Sequence, residues 1–91
     1  MPSHNFFGTI EITWSYDSTK GELTVGGALN GKNMSGSPAV LTHTNNTSQF
    51  NGQDGNNSAQ VGLAGNFSTL KLTMNASQTD PQKSNTNQSD F

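Results

Sequence analysis

The chain has 91 residues, a formal net charge of −2, no cysteine, and four Lys with no Arg. That length allows one small domain and excludes a multidomain enzyme; the missing cysteine excludes disulfides, thiolate catalysis and zinc ribbons; the scarcity of basic residues excludes a duplex-binding electrostatic footprint, so no nucleic-acid partner is expected. Asn, Gln, Ser, Thr and Gly make up 50 of the residues, and no apolar run approaches the length of a membrane span.

Met1-Pro2-Ser3-His4-Asn5-Phe6-Phe7 has neither a basic start nor an apolar stretch, so no signal peptide is expected there. From Phe6 onward every second residue is apolar or small: Phe6, Gly8, Ile10, Ile12, Trp14 and Tyr16, with Thr9, Glu11, Thr13 and Ser15 between them. Period two predicts a half-buried strand. Asp17-Ser18-Thr19-Lys20-Gly21 breaks it, with Asp opening a turn and Gly supplying a positive φ. Alternation resumes with Leu23, Val25, Gly27 and Leu29, which predicts a β-hairpin.

Gly31 to Pro38 reads as a loop and Ala39 to Thr44 as a third strand. Asn45-Asn46 reads as a tight turn, because Asn tolerates the left-handed region. Thr47 to Asn51, anchored by Phe50, is a fourth strand, and the cluster Gly52 to Asn57 is a turn. Ser58 to Leu63 alternates around Ala59, Val61 and Leu63. Gly65-Asn66 marks a turn, and Leu70, Leu72 and Met74 begin a sixth strand. No segment carries a helical apolar stripe. The expected fold is therefore all-β: an antiparallel meander of about six strands forming a β-sandwich or small barrel, over a domain at residues 1–76. Residues 77–91 read as a polar tail, disordered alone or docked on a neighbouring subunit.

The inward set is Phe6, Ile10, Ile12, Trp14, Tyr16, Leu23, Val25, Leu29, Leu41, Phe50, Val61, Leu63, Phe67, Leu70, Leu72 and Met74. This is a small core for a chain without a disulfide, and small domains of that kind draw further stability from a subunit partner. A homo-oligomer is therefore expected, with Phe7 and Phe91 as contacts.

Four chemical patterns in the sequence fall short of the motifs they approach. Gly26-Gly27-Ala28-Leu29-Asn30-Gly31-Lys32-Asn33 approaches a phosphate-binding loop in spacing, but Asn33 stands where a hydroxyl is needed and Ser35-Gly36-Ser37-Pro38 does not continue as a helix. Asp54-Gly55-Asn56-Asn57-Ser58 carries alternate oxygen ligands, yet lacks the sixth-position Gly and twelfth-position Glu of a calcium loop. Glu11 and Glu22 read as solvated charges on the outer face of the first hairpin rather than a catalytic pair. His4 and His43 stand without a nucleophile elbow. No enzyme, metal or cofactor is expected.

What remains is a dense supply of neutral hydrogen-bonding groups at turns, the kind that pair with hydroxyl-bearing ligands. The expected function is a non-enzymatic, lectin-like binding module for glycans, with Tyr16, Asn30, Asn33, Asn45, Asn46, Asp54 and Asn56 as contacts. The alternative is a self-assembling structural subunit of an extracellular or surface filament, since low charge and open strand edges suit strand addition. Composition favours an extracellular or cell-surface setting.

Overall fold

A computed structural model describes residues 3–5 and 9–79, with side chains placed from Ile10 to Gln78. It is all-β, with no helix among the described residues. The strands are β1 (Ser3–Asn5), β2 (Thr9–Asp17), β3 (Glu22–Leu29), β4 (Lys32–Asn33), β5 (Ala39–Leu41), β6 (Thr47–Asp54), β7 (Asn57–Asn66) and β8 (Lys71–Thr79). They form two antiparallel sheets, each contiguous in sequence. The first has the order β1-β2-β3, with β4 and β5 both pairing the far edge of β3; the second is the meander β6-β7-β8.

The sheets lie face to face because alternation puts one apolar row on each inner surface. Ile10 and Ile12 on β2 and Leu23, Val25 and Leu29 on β3 meet Phe50, Val61, Leu63, Leu72, Met74 and Ala76 from the second sheet in one buried cluster. Gly27 sets the spacing at the centre. A Cβ there would stand 2.7 Å from the Phe50 ring, so the missing side chain is what lets the ring press onto β3.

Residues 34–38 form a strap that closes one side of the sandwich. Met34 N–H donates to Gly27 O at 2.9 Å, and Gly27 N–H donates to Ser37 Oγ at 2.8 Å. The strap thereby fills the break in the β3 edge between β4 and β5. Ser35 and Asn51 exchange backbone hydrogen bonds of 2.7 and 3.0 Å, which ties the strap to β6 of the opposite sheet. Met34 itself is 2% exposed and packs over Gly52.

Several expected boundaries move. The stretch read as a loop from Gly31 to Pro38 contains β4 and a buried methionine. The β6–β7 turn is only Gly55 and Asn56, because Gly52 to Asp54 continue the ladder with Ala59, Ser58 and Asn57. Gly65 and Asn66 belong to β7, and the turn lies at 67–70. Asn45 and Asn46 sit in a five-residue loop, 42–46, rather than a two-residue turn. Leu70, placed in the core by parity, is 48% exposed in that 67–70 turn, with φ 54. Trp14, Tyr16 and Phe67 are partly buried and pack against the core rather than inside it. β8 runs to Thr79, with Gln78 buried, so the second sheet continues past residue 76. Phe6, Phe7 and Phe91, and the tail beyond Thr79, lie outside the described residues.

Candidate functional site

The site is assembled at one end of the sandwich from two turns of the same design. In the β2–β3 turn, Asp17 Oδ1 accepts the N–H groups of Thr19 (3.0 Å) and Lys20 (3.2 Å). In the β7–β8 turn, Asn66 Oδ1 accepts those of Ser68 (3.1 Å) and Thr69 (3.2 Å). Each is an Asx turn, in which a short side chain replaces a backbone acceptor. Both close on a positive φ, at Gly21 (64°) and at Leu70 (54°).

Between the turns lies the 42–46 loop. Thr42 N–H donates to Asn45 O at 2.8 Å, and Asn45 N–H donates to Thr42 Oγ1 at 3.1 Å. Gly65 N–H donates to Asn46 O at 2.7 Å, which anchors the loop to β7. The anchoring brings His43 beside Phe67, with ring centroids 4.7 Å apart and planes 32° apart. Tyr16, at the end of β2, meets the same Phe67 ring at 5.9 Å and 50°. Such tilted pairs contribute about 0.5–1.5 kcal/mol beyond area burial. Gly65 gives the Phe67 ring its seat, since a Cβ there would stand 3.1 Å from Cε1.

The result is a cleft of about 310 Å³ lined by His43, Asn46, Gly65, Asn66, Phe67 and Ser68. Its wall holds aromatic rings, amides and a hydroxyl, with no Asp, Glu or Lys among the lining residues. The volume sits at the lower end of small-molecule sites, which span roughly 300–1,000 Å³.

The residues expected to bind ligand are dispersed by the fold. Tyr16, Asn45 and Asn46 fall at this end. Asn30, Asp54 and Asn56 fall at the opposite end. There Asn30 Nδ2 donates to Asp54 Oδ2, and Lys32 Nζ pairs with Asp54 Oδ1, both at 2.8 Å. The Lys32 hydrogen bond, helped by that of Asn30 and the Lys32 charge, holds the Asp54 carboxyl below its ordinary pKa. With an ammonium on one oxygen and an amide on the other, Asp54 acts as a clamp between sheets rather than as a cation ligand.

Asn33 pairs with Ala28 near that same end, but on the outer face of the first sheet. The segment 26–33 runs strand, turn, strand, so no helix N-terminus follows the Gly-rich run. Glu11 pairs with Ala28 and Glu22 with Asp17, which puts the two glutamates at opposite ends of the hairpin. At roughly 3.4 Å per residue their Cα atoms are about 20 Å apart, too far for a shared glycosidic role. Among the described residues no cluster of His, Asp and Glu forms a metal site, and no helix is long and apolar enough to cross a membrane.

His43 and Phe67 were missed as site residues. Their contact joins positions 24 apart, and no local pattern signals it; Phe67 reads from sequence as an ordinary core ring.

No protein-family model matches the chain, and neither a curated protein nor a solved structure was found to match it.

Proposed function

We propose that the protein is a non-catalytic β-sandwich binding module whose end cleft takes a neutral, hydroxyl-rich ligand of carbohydrate type. The observation that carries this reading is the cleft's lining: aromatic rings beside amides and a hydroxyl, with no charged carboxylate or ammonium. A sugar ring presents apolar C–H faces to stack on aromatics and hydroxyls that pair with amide donors and acceptors. No Asp, Glu or Lys lines the cleft to pair with a charged ligand.

The test is a broad glycan array, followed by titration of the isotope-labelled protein with the best neutral sugar. The backbone signals of Asn46, Gly65, Phe67 and Ser68 are expected to move, and added salt to leave binding unchanged. Asn46→Ala is expected to weaken binding by up to about tenfold. Its thermal stability stays level, because the contact that holds the loop is the Asn46 backbone carbonyl. A folded protein that binds nothing on the array removes the reading.

A second reading, self-assembly by strand addition, is favoured by one observation. Among the described strands β8 is a nine-residue edge, with Lys71 as its only charge and no Pro, the guards that edges ordinarily carry. Solution mass that stays monomeric from micromolar to millimolar concentration removes it.

A further inference from the structure

The outer face of the first sheet carries a groove along β3. Its floor is Gly26 and Ala28 on the central strand, two residues with almost nothing above the backbone. One wall is Glu11 and Thr13 from β2, which pair with Ala28 and Gly26 respectively. The other is Asn33 from β4, opposite Ala28, and Ser37 from the strap. The walls stand two strand spacings apart, roughly 9–10 Å. The enclosed space is about 150 Å³, half that of the end cleft. The depression exists because position 26 has no side chain: a Cβ there would lie 3.1 Å from Thr13 Oγ1 and 3.5 Å from Ser37 Oγ.

The chemistry of the walls has one sign. Glu11 is the only charged residue among the described residues that line the groove, and Thr13, Asn33 and Ser37 each bring an oxygen acceptor. Ser37 Oγ is held in place by the Gly27 N–H at 2.8 Å and keeps a further lone pair. The neighbouring Lys32 does not neutralise Glu11, because its ammonium is 2.8 Å from Asp54 at the end of the sandwich. An anion meets repulsion here, and a whole sugar exceeds the space. An ammonium head has three donors to divide between a carboxylate and hydroxyl or amide oxygens, and its short alkyl stem lies over Ala28 and Gly26.

We propose that this groove binds a primary ammonium group, presented either by a lysine side chain of a partner or by an amino sugar. The site is separate from the end cleft, and its failure leaves the reading of that cleft untouched.

The isotope-labelled full chain is titrated with methylammonium chloride, Nα-acetyl-lysine methylamide and glucosamine. Sodium chloride, sodium acetate and N-acetylglucosamine serve as controls at matched ionic strength. Saturable shifts of the Thr13, Gly26, Gly27 and Ala28 amides are expected with methylammonium and with at least one of the two larger amines. The larger amine that binds identifies the source. Glu11→Gln, at an exposed position, is expected to weaken binding about tenfold or more. Gly26→Ala, which fills the floor, is expected to abolish it. Equal shifts with sodium chloride or N-acetylglucosamine, no response to any amine, or unchanged binding in Glu11→Gln overturns the proposal.

Discussion

At one end of the sandwich Asn30, Lys32 and Asp54 close on one another across the two sheets; at the other, His43, Asn46, Asn66 and Phe67 stand around open space. Both ends are made of the same polar turn residues. At the first, the amide and ammonium donors are consumed in joining β3 and β4 to β6. At the second, the joining is done by backbone, Gly65 N–H to Asn46 O, and the side chains border the cleft. The backbones differ in the same direction. Asn30 (φ 51) and Gly31 (φ 81) give the closed end the residue pair that a two-residue hairpin of this hand requires. At the open end a leucine holds the left-handed conformation that its twin turn assigns to Gly21. Local fit is good where the structure only needs closing and poor beside the cleft, the pattern expected where a site constrains the chain.

The largest effect tests whether the two ends share one fold. Phe50 is fully buried between the sheets, and Phe50→Ala should cost about 3–5 kcal/mol. Denaturant unfolding followed by the Trp14 fluorescence and by amide signals at both ends should still give coincident transitions. Separate midpoints for the two ends would break the comparison by making them independent units. A gain should come from Leu70→Gly. Relief of the left-handed cost, about 1–2 kcal/mol, outweighs the extra freedom glycine regains on unfolding, about 0.5–1 kcal/mol. The net stabilisation of about 0.5–1 kcal/mol is readable as a rise in Tm, and a fall in Tm would show that the leucine side chain contributes packing its exposure does not suggest.

The smallest effect concerns the closed end. Asp54→Asn should lower Tm less than the Leu70 change raises it, because the pair is solvent-facing. The pH dependence has a definite sign. A carboxyl whose folded pKa lies below its unfolded value stabilises the fold in full above about pH 4, and that contribution is lost as pH falls through the depressed folded value. The wild-type Tm should therefore drop more than that of Asp54→Asn below pH 4. Parallel pH profiles would mean the clamp carries no stability.

Much of the fold was legible because parity is a strong signal. The inward faces of β2 and β3 follow from Ile10, Ile12, Leu23, Val25 and Leu29, and that of β7 from Ala59, Val61 and Leu63. Parity fails where an element ends. Leu70 matches the phase of Leu72 and Met74 but sits one residue into the turn, and Gln78 occupies an inward position that its polarity disguises. Met34 was illegible because a single apolar residue among Gly, Ser and Pro has no period. Its burial depends on the strap crossing between sheets, and no local pattern encodes that crossing. The candidate site was legible only in composition. Turn amides were expected to bind ligand, but the fold decides which of them face one another across a clamp and which border a cleft. His43 meets Phe67 only because a backbone hydrogen bond from Gly65 pulls the 42–46 loop over β7.

The contiguity of the two sheets makes the 42–46 loop a natural scission point. Every described strand of the first sheet lies before it and every strand of the second after it. One cut there yields two fragments, each carrying one described sheet whose apolar inner face has lost the burial that the sandwich gave it. Each fragment is thus the other's missing half, with the pairing specified by Phe50 in the hollow above Gly27 and by the Ser35–Asn51 bridge. Fused to two other proteins, such halves would be brought to high local concentration when the carriers meet, which favours their closing on the shared core again.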